Sequence, residues 1–399
     1  MHPSLSQKYK SDSVLSNETL KKKLEFNRKL SEQQDQTDPI ERCTREFKYE
    51  DCSEQYWNPE EFSLLYGTYL WEQATEKQKI ILNQLYWVAY YSQIISAEIA
   101  TIFFNQIAAA GIFAMEDFKI LCDALDLESR QERCHINAFK TISEEVEWKL
   151  FGERILTSPM KGVFEHPTVI HWTDDQFKFQ RRNLKLYGYV ILASNSPFLA
   201  SQYLTVRGIR TLNGKLVQHR LSKYYSDAPN KEEISIPSAI SYHHFIDESF
   251  HFNTSKTIGL ELLNYLPKPT AFDRWVVNKL IEGCQEDHIS FSVAINGIFW
   301  HDPALLKQIY AILKSKSFGF DDKDAKHIMQ KCFGEESDGF TKSHETYKTA
   351  RESYKLFLDG LDFIEPQNRK MHIMSKTTLD KVLKNNKRAL NQFFSKQFN

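Results

Sequence analysis

The sequence predicts an all-α protein built as a helical bundle. Three observations carry that reading. From Pro59 onward apolar residues recur at helical spacing, strand-like alternation is scarce, and neither GxGxxG nor a P-loop occurs in the 399 residues. No repeat at solenoid periods is present either.

The elements follow in order. Residues 1–55 are polar, with "SEQQDQTDP" at 31–39, and read as a partly disordered N-terminal arm. Residues 56–266 hold the bundle. "NPEEF" opens it, with Asn58 as N-cap, Pro59 at the first helical position and acids in the first turn. A long helix spans about 76–110 and ends at Gly111. Helices at about 115–125 and 129–150 follow, and nothing between them demands a stop. A helix over about 174–208 contains Pro197, which should kink it. Residues 213–237, with "SDAPNKEE", read as a long polar connection and an insertion. Pro237 then opens a helix that runs to about Leu266 and stops at "PKP". Residues 267–399 form a C-terminal helical extension packed on the bundle, ending in the basic amphipathic "KVLKNNKRALNQFFSKQ".

Composition narrows the function classes. The net charge of -1 gives no reason to expect nucleic acid or an acidic membrane surface. Six cysteines without a CxxC pair read as reduced thiols in a cytoplasmic protein, not as a disulfide framework or a thiolate zinc site. The apolar stretch Leu85–Phe113 is long enough for a membrane span. Gln93, Glu98, Asn105 and Gln106 interrupt it, so it reads as a central buried helix, with no membrane span.

The chemistry concentrates in "SYHHFIDESFHFNTS" at 241–255. His244, Glu248 and His251 have the spacing H-x3-E-x2-H, which puts all three within roughly a 60° arc of one helix face. Imidazoles and a carboxylate pointing together are metal-ligand chemistry. The bland alternative is a solvated charged face, but phenylalanines interleave it. Random order would give roughly 0.06 such matches in this composition. The shorter [D/E]-x2-H spacing is weak alone and recurs at Glu132/His135 and Asp324/His327. Carboxylate-bridged di-iron bundles take a Glu-x2-His from each of two helices and a Glu from each of two others. Glu132 and His135 fit the second helix. Glu98, a charge in the middle of the most apolar helix, fits a lone Glu.

The order Glu98, then Glu132-x2-His135, then His244-x3-Glu248-x2-His251 resembles the non-haem di-iron N-oxygenases of the p-aminobenzoate N-oxygenase type, over roughly residues 75–260. The resemblance implies a ferritin-like helical bundle with additional C-terminal helices, and His244 as an extra histidine ligand. It implies two Fe ions, with Mn or a single metal as alternatives. They would reduce O2 to a peroxo species that oxidises an amine nitrogen of a small, aromatic or other substrate. Hydroxylation or desaturation at carbon is the neighbouring alternative. One departure stands out. The family's further glutamate lies on the helix between the two motifs, and no Asp or Glu occurs from Leu184 through Ile209. Asn195 is the closest match to that position, with Ser194 and Gln202 open. That leaves three glutamates and three histidines where the family holds four and three, so a degenerate accessory protein is the rival reading.

Neighbouring residues take lesser roles. Asp247 is a candidate acceptor for the other ring nitrogen of His135. His243 points about 100° away from His244 and reads as a bystander. Tyr90, Tyr91 and Tyr187 are candidates for a substrate pocket or plain core. The expected partners are a small-molecule substrate, O2 and an electron donor, with a homodimer open.

Overall fold

The computed structural model describes residues 17–113, 118–157, 184, 187–193, 196–295, 305–376 and 378–397, with backbone alone at 203–216, 284 and 286–295. Among the described residues there is no strand, and the fold is all-α.

The chain opens with α1 (Glu18–Gln33), α2 (Thr37–Glu46) and the short α3 (Tyr49–Cys52). Within the arm expected to be partly disordered, residues 18–33, 37–46 and 49–52 are therefore helical. Asn17 caps α1 through a bond from the Leu20 amide, and Leu20 and Leu24, one turn apart, are buried. They join a core cluster with Ala108, Ile112, Leu121 and Leu125. A few apolar residues at helical spacing suffice to dock a polar segment whose other face meets water.

Residues 56–68 form turns, not the helix expected from "NPEEF". Asn58 is fully buried and serves a different partner. Its Nδ2 donates to the Asn83 carbonyl at 3.0 Å, while Asn83 Oδ1 accepts from the amides of Trp57 and Asn58. A side chain from the next long helix therefore fixes this loop.

After α4 (Tyr69–Gln73), four helices make the bundle: α5 (Glu76–Phe113), α6 (Lys119–Phe151), α7 (Pro197–Ser226) and α8 (Ile236–Lys256). α5 packs on α6 and α7, and α8 closes the ring by packing on both. α5 and α6 run antiparallel, with Trp87 against Phe139 at one end and Asn105 against Glu128 toward the other. By length and composition α5 could cross a membrane. Here its buried residues run from Ile81 to Ile112 and line the bundle core.

Three boundaries differ from expectation, and one, the absence of a stop inside α6, agrees with it. α5 runs through Gly111, because a Cβ there would meet the Ala200 Cβ at 2.6 Å and the Ala193 carbonyl at 3.1 Å; the glycine permits close approach to α7. α6 is one helix. Pro197 starts α7 at its first turn, where no N–H is needed, and the Ser196 hydroxyl caps it by accepting from the Leu199 amide. α7 also extends through Ser226, so most of the supposed insertion is helix. Val217, Gln218, Leu221 and Ser222 are buried while His219 and Arg220 are exposed, a helical period hidden by polar composition.

Beyond α8 a π-turn (Thr257–Glu261) leads to α9 (Ala271–Ile295), α10 (Leu306–Lys314), α11 (Asp322–Gly334), α12 (Asp338–Asp359), α13 (Pro366–Arg369) and α14 (Leu379–Gln397). α9 and α12 pack on α7, and α14 packs on α10 and α11 through Leu390 and Phe394. The basic terminal helix thus has an apolar face committed to this chain.

Candidate metal centre

Three bundle helices deliver acids and imidazoles to one buried point. α5 brings Glu98, α6 brings Glu132 and His135, and α8 brings His244, Glu248 and His251. Each is at most 8% exposed. Glu98 Oε1 lies 3.1 Å from His244 Nε2 and 3.7 Å from His135 Nδ1. Glu132 Oε2 lies 3.3 Å from His135 Nδ1, and its Oε1 lies 3.5 Å from His251 Nδ1. Glu248 Oε1 is 2.8 Å from His251 Nδ1 and 3.8 Å from His244 Nε2. All six residues singled out from the motifs are therefore brought together.

A seventh belongs with them, and motif reading missed it. Glu128, 1% exposed, sits one turn before Glu132 and accepts from Asn105 Nδ2 at 2.9 Å. The donor atoms fall into two compact groups, each spanning at most 4.8 Å: Glu98, His135, His244 and Glu248, and then Glu128, Glu132 and His251. Glu132 and Glu248 each lie between histidines of both groups. The signal for Glu128 was present. Glu128-x3-Glu132-x2-His135 has the spacing of His244-x3-Glu248-x2-His251, with an acid in the first place.

Glu128 also revises the expected deficit. The set holds four glutamates and three histidines. Asn195 and Ser194 lie outside the described residues. Gln202 is buried but donates to the neighbouring Ser201 hydroxyl and is not in either group. α7, residues 197–226, contains no Asp or Glu, and the fourth acid grouped with the histidines among the described residues is Glu128 of α6.

The outer layer is as ordered as the inner one. Asp247 Oδ2 is 3.0 Å from His135 Nε2, leaving Nδ1 turned toward Glu132 and Glu98. Gln131 Oε1 is 2.8 Å from His251 Nε2, leaving that Nδ1 toward Glu248 and Glu132. Gln131 and Asp247 are joined by a 3.2 Å hydrogen bond. The turn between α1 and α2 clamps both, since Asp35 Oδ1 accepts from Gln131 Nε2 and the Gln36 amide donates to Asp247 Oδ1. His243 stands outside the cluster and bonds Gln36 Oε1 at 2.8 Å.

Of the tyrosines, Tyr91 donates to the Ser241 hydroxyl and its ring lies 5.7 Å from that of His244. Tyr90 is fully buried beside it. Tyr187 is 56% exposed, while Tyr189 two residues on is buried and its hydroxyl donates to the Leu199 carbonyl. His327 packs against Tyr69 far along the chain and takes no part.

Electrostatics show what such a cluster wants. Burial, with Glu248 and Glu98 close by, holds the Glu132 carboxyl well above the usual carboxylate range. Burial pulls the His135 imidazole down, but hydrogen bonds to Asp247, Glu132 and Glu98 outweigh it and hold it well above its ordinary value. Glu98 Oε2 is buried with no hydrogen-bond partner among the described residues, and its ion-pair partners are the two histidines, not an arginine or lysine. Four carboxylates would balance two divalent cations in charge, and imidazole with carboxylate suits iron or manganese. The residues fit a two-metal centre.

A sequence profile of the family described as acyl halogenase CylC-like matches residues 19–188 and 164–394. The chain belongs to the CylC-like acyl halogenase family. That family is of the di-iron, ferritin-like type, as is the N-oxygenase family that the motifs resemble. No curated protein and no solved structure matches the chain. The CylC-like match takes in α1 and the C-terminal helices, which the N-oxygenase resemblance left unexplained.

Proposed function

We propose that this CylC-like protein is an O2-dependent di-iron enzyme that oxidises a C–H carbon of an acyl substrate, replacing hydrogen with halogen from a halide ion or with oxygen from O2, an external donor supplying the other two electrons that O2 takes up. The observation that carries it is the pair of buried donor groups, two glutamates and two histidines beside two glutamates and one histidine. Glu98, His135, His244 and Glu248 would hold one ion, and Glu128, Glu132 and His251 the other. What the ions supply when bound is activation of O2 for attack on a C–H bond.

The chain's own residues set the conditions. Asp247 and Gln131 fix the tautomers of His135 and His251, so that each presents Nδ1 as a neutral donor. Glu132 and Glu248 lie near histidines of both groups and would help to hold the ions. Trp87, Tyr91 and Phe139 pack over the His244 side and exclude water there.

The same donors would serve oxidation of an amine nitrogen, as the sequence resemblance implied. The acyl description of the family favours carbon. A metal-free scaffold would need a basic partner for Glu98, and among the described residues its ion-pair partners are the histidines.

The test is anaerobic loading with ferrous iron followed by metal analysis. About two irons per chain, with an optical change on admitting O2, is the expected result. Under half an iron per chain, unchanged in Glu248→Ala, would sink the reading.

A further inference from the structure

Buried side-chain amides in folded proteins are hydrogen-bonded with few exceptions, because burial strips their water. Gln93 in α5 is an exception. It is fully buried, and neither its Oε1 nor its Nε2 has a hydrogen-bond partner among the described residues. One turn earlier Tyr90 is equally buried, and its hydroxyl is also without a partner. Two other buried polar side chains of α5, Gln84 and Tyr91, are satisfied. The Gln84 amide donates to the carbonyls of Cys52, Ser53 and Gln55, and the Tyr91 hydroxyl donates to Ser241.

Helical spacing puts Gln93 on the face of α5 that carries Phe104 and Gly111. Phe104 packs with Tyr189, Phe198 and Leu199, and Gly111 lies against Ala200. Gln93 and Tyr90 therefore lie toward α7, the bundle wall without a carboxylate. The metal centre is close. The Tyr90 ring meets that of Tyr91 at 5.0 Å, and Tyr91 faces His244.

The free atoms specify their complement. Gln93 offers a donor and an acceptor, and a tyrosine hydroxyl offers either. An anion would use the donors alone and would lie near Glu98, whose Oε2 is buried without a partner among the described residues. A cation would strand the amide N–H groups. A neutral group bearing both a carbonyl and an N–H satisfies every atom.

We propose that Gln93 and Tyr90 form a buried dock for a carboxamide of the substrate, which fixes which carbon reaches the centre. The substrate's acyl nature rests on the proposed function; the dock itself stands on the unpaired atoms. An ordered water is the competing occupant.

The test uses the full chain loaded with zinc, so that nothing is oxidised, and titrates it with decanamide and with methyl decanoate, which lacks the N–H. Decanamide is expected to bind about tenfold more tightly than the ester, and Gln93→Leu to abolish that preference by weakening decanamide about tenfold more than the ester, which uses only the Gln93 donor. Tyr90→Phe, which deletes one oxygen, should weaken decanamide several-fold and covers the case of a misfolded Gln93→Leu. Decanamide affinity unchanged in the folded variants overturns the proposal and leaves water as the occupant. Binding of bromide, lost in Gln93→Leu, overturns it in favour of a halide. The same titration on metal-free chain reports the dock alone, while failure of the two-iron reading shows separately in metal content.

Discussion

Gln131 and Asp247 are hydrogen-bonded at 3.2 Å, and each holds the histidine of the other's helix. Each immediately precedes the motif glutamate of its own helix. The arrangement is reciprocal in geometry and unequal in chemistry, since one member is an acid and the other an amide. Asp247→Asn should therefore weaken iron binding by about 10–100-fold through His135, and Gln131→Leu should do so through His251. The double variant should cost less than the sum, because the two share a bond. Titration of each variant with ferrous iron at limiting metal checks this.

Glu128 is predicted to matter as much as the motif acids. Glu128→Gln keeps the shape and the bond to Asn105 and removes the charge. Iron content should fall from about two to about one per chain, with the group around His244 retained. Retention of both irons would remove Glu128 from the donor set.

The α1–α2 turn should act on the metal from outside. Asp35→Ala deletes the acceptor of Gln131 Nε2 and the bond from the Thr37 amide. We expect iron affinity to fall about tenfold, with a modest change in Tm, since the apolar contacts of Leu20 and Leu24 persist. Equilibrium dialysis and a melting curve on one sample separate the two effects.

Metal-free and iron-loaded chains should respond to pH in opposite ways. Glu132 and His135 both have folded-state pKa values raised above their ordinary ones. Their protonated forms are thus favoured by folding, and that stability is present at low pH and lost as pH rises through the raised values. Iron requires both groups deprotonated, so metal-linked stabilisation grows over the same range. Melting curves from pH 5 to 8 with and without iron should diverge with rising pH.

His243 titrates the other way. Burial lowers it to about 4. Its contribution is fully present above its ordinary value of 6.5 and is lost as pH falls through 6.5 toward 4. Nuclear magnetic resonance of the ring should find it neutral at pH 6, and His243→Gln, which can still bond Gln36, should flatten the acid limb of the stability curve.

Much of the site was legible because metal ligation imposes spacing. Glu98, Glu132, His135, His244, Glu248 and His251 emerged from helical arcs and from the cost of a charge in an apolar helix, and Asp247 from its place beside them. Glu128 and Gln131 did not. Both look like ordinary members of the charged run "ESRQER", and only the packing of α6 against α8 shows which of its sides is dry. The N-terminal hairpin and the end of α7 were missed for the opposite reason. Their composition is polar, and one or two buried residues per turn decide their structure. Asn58 misled because a good cap residue is also a good loop clamp.

The bare wall of α7 has one more consequence. Among the described residues the candidate donors lie on α5, α6 and α8, and residues 197–226 of α7 contain no Asp or Glu. On the proposed reading that wall can be redesigned without removing an acidic ligand. Relatives with one shared reactive centre and divergent substrate ranges are what such a partition allows, and α7 is where a directed library for new substrates should be placed.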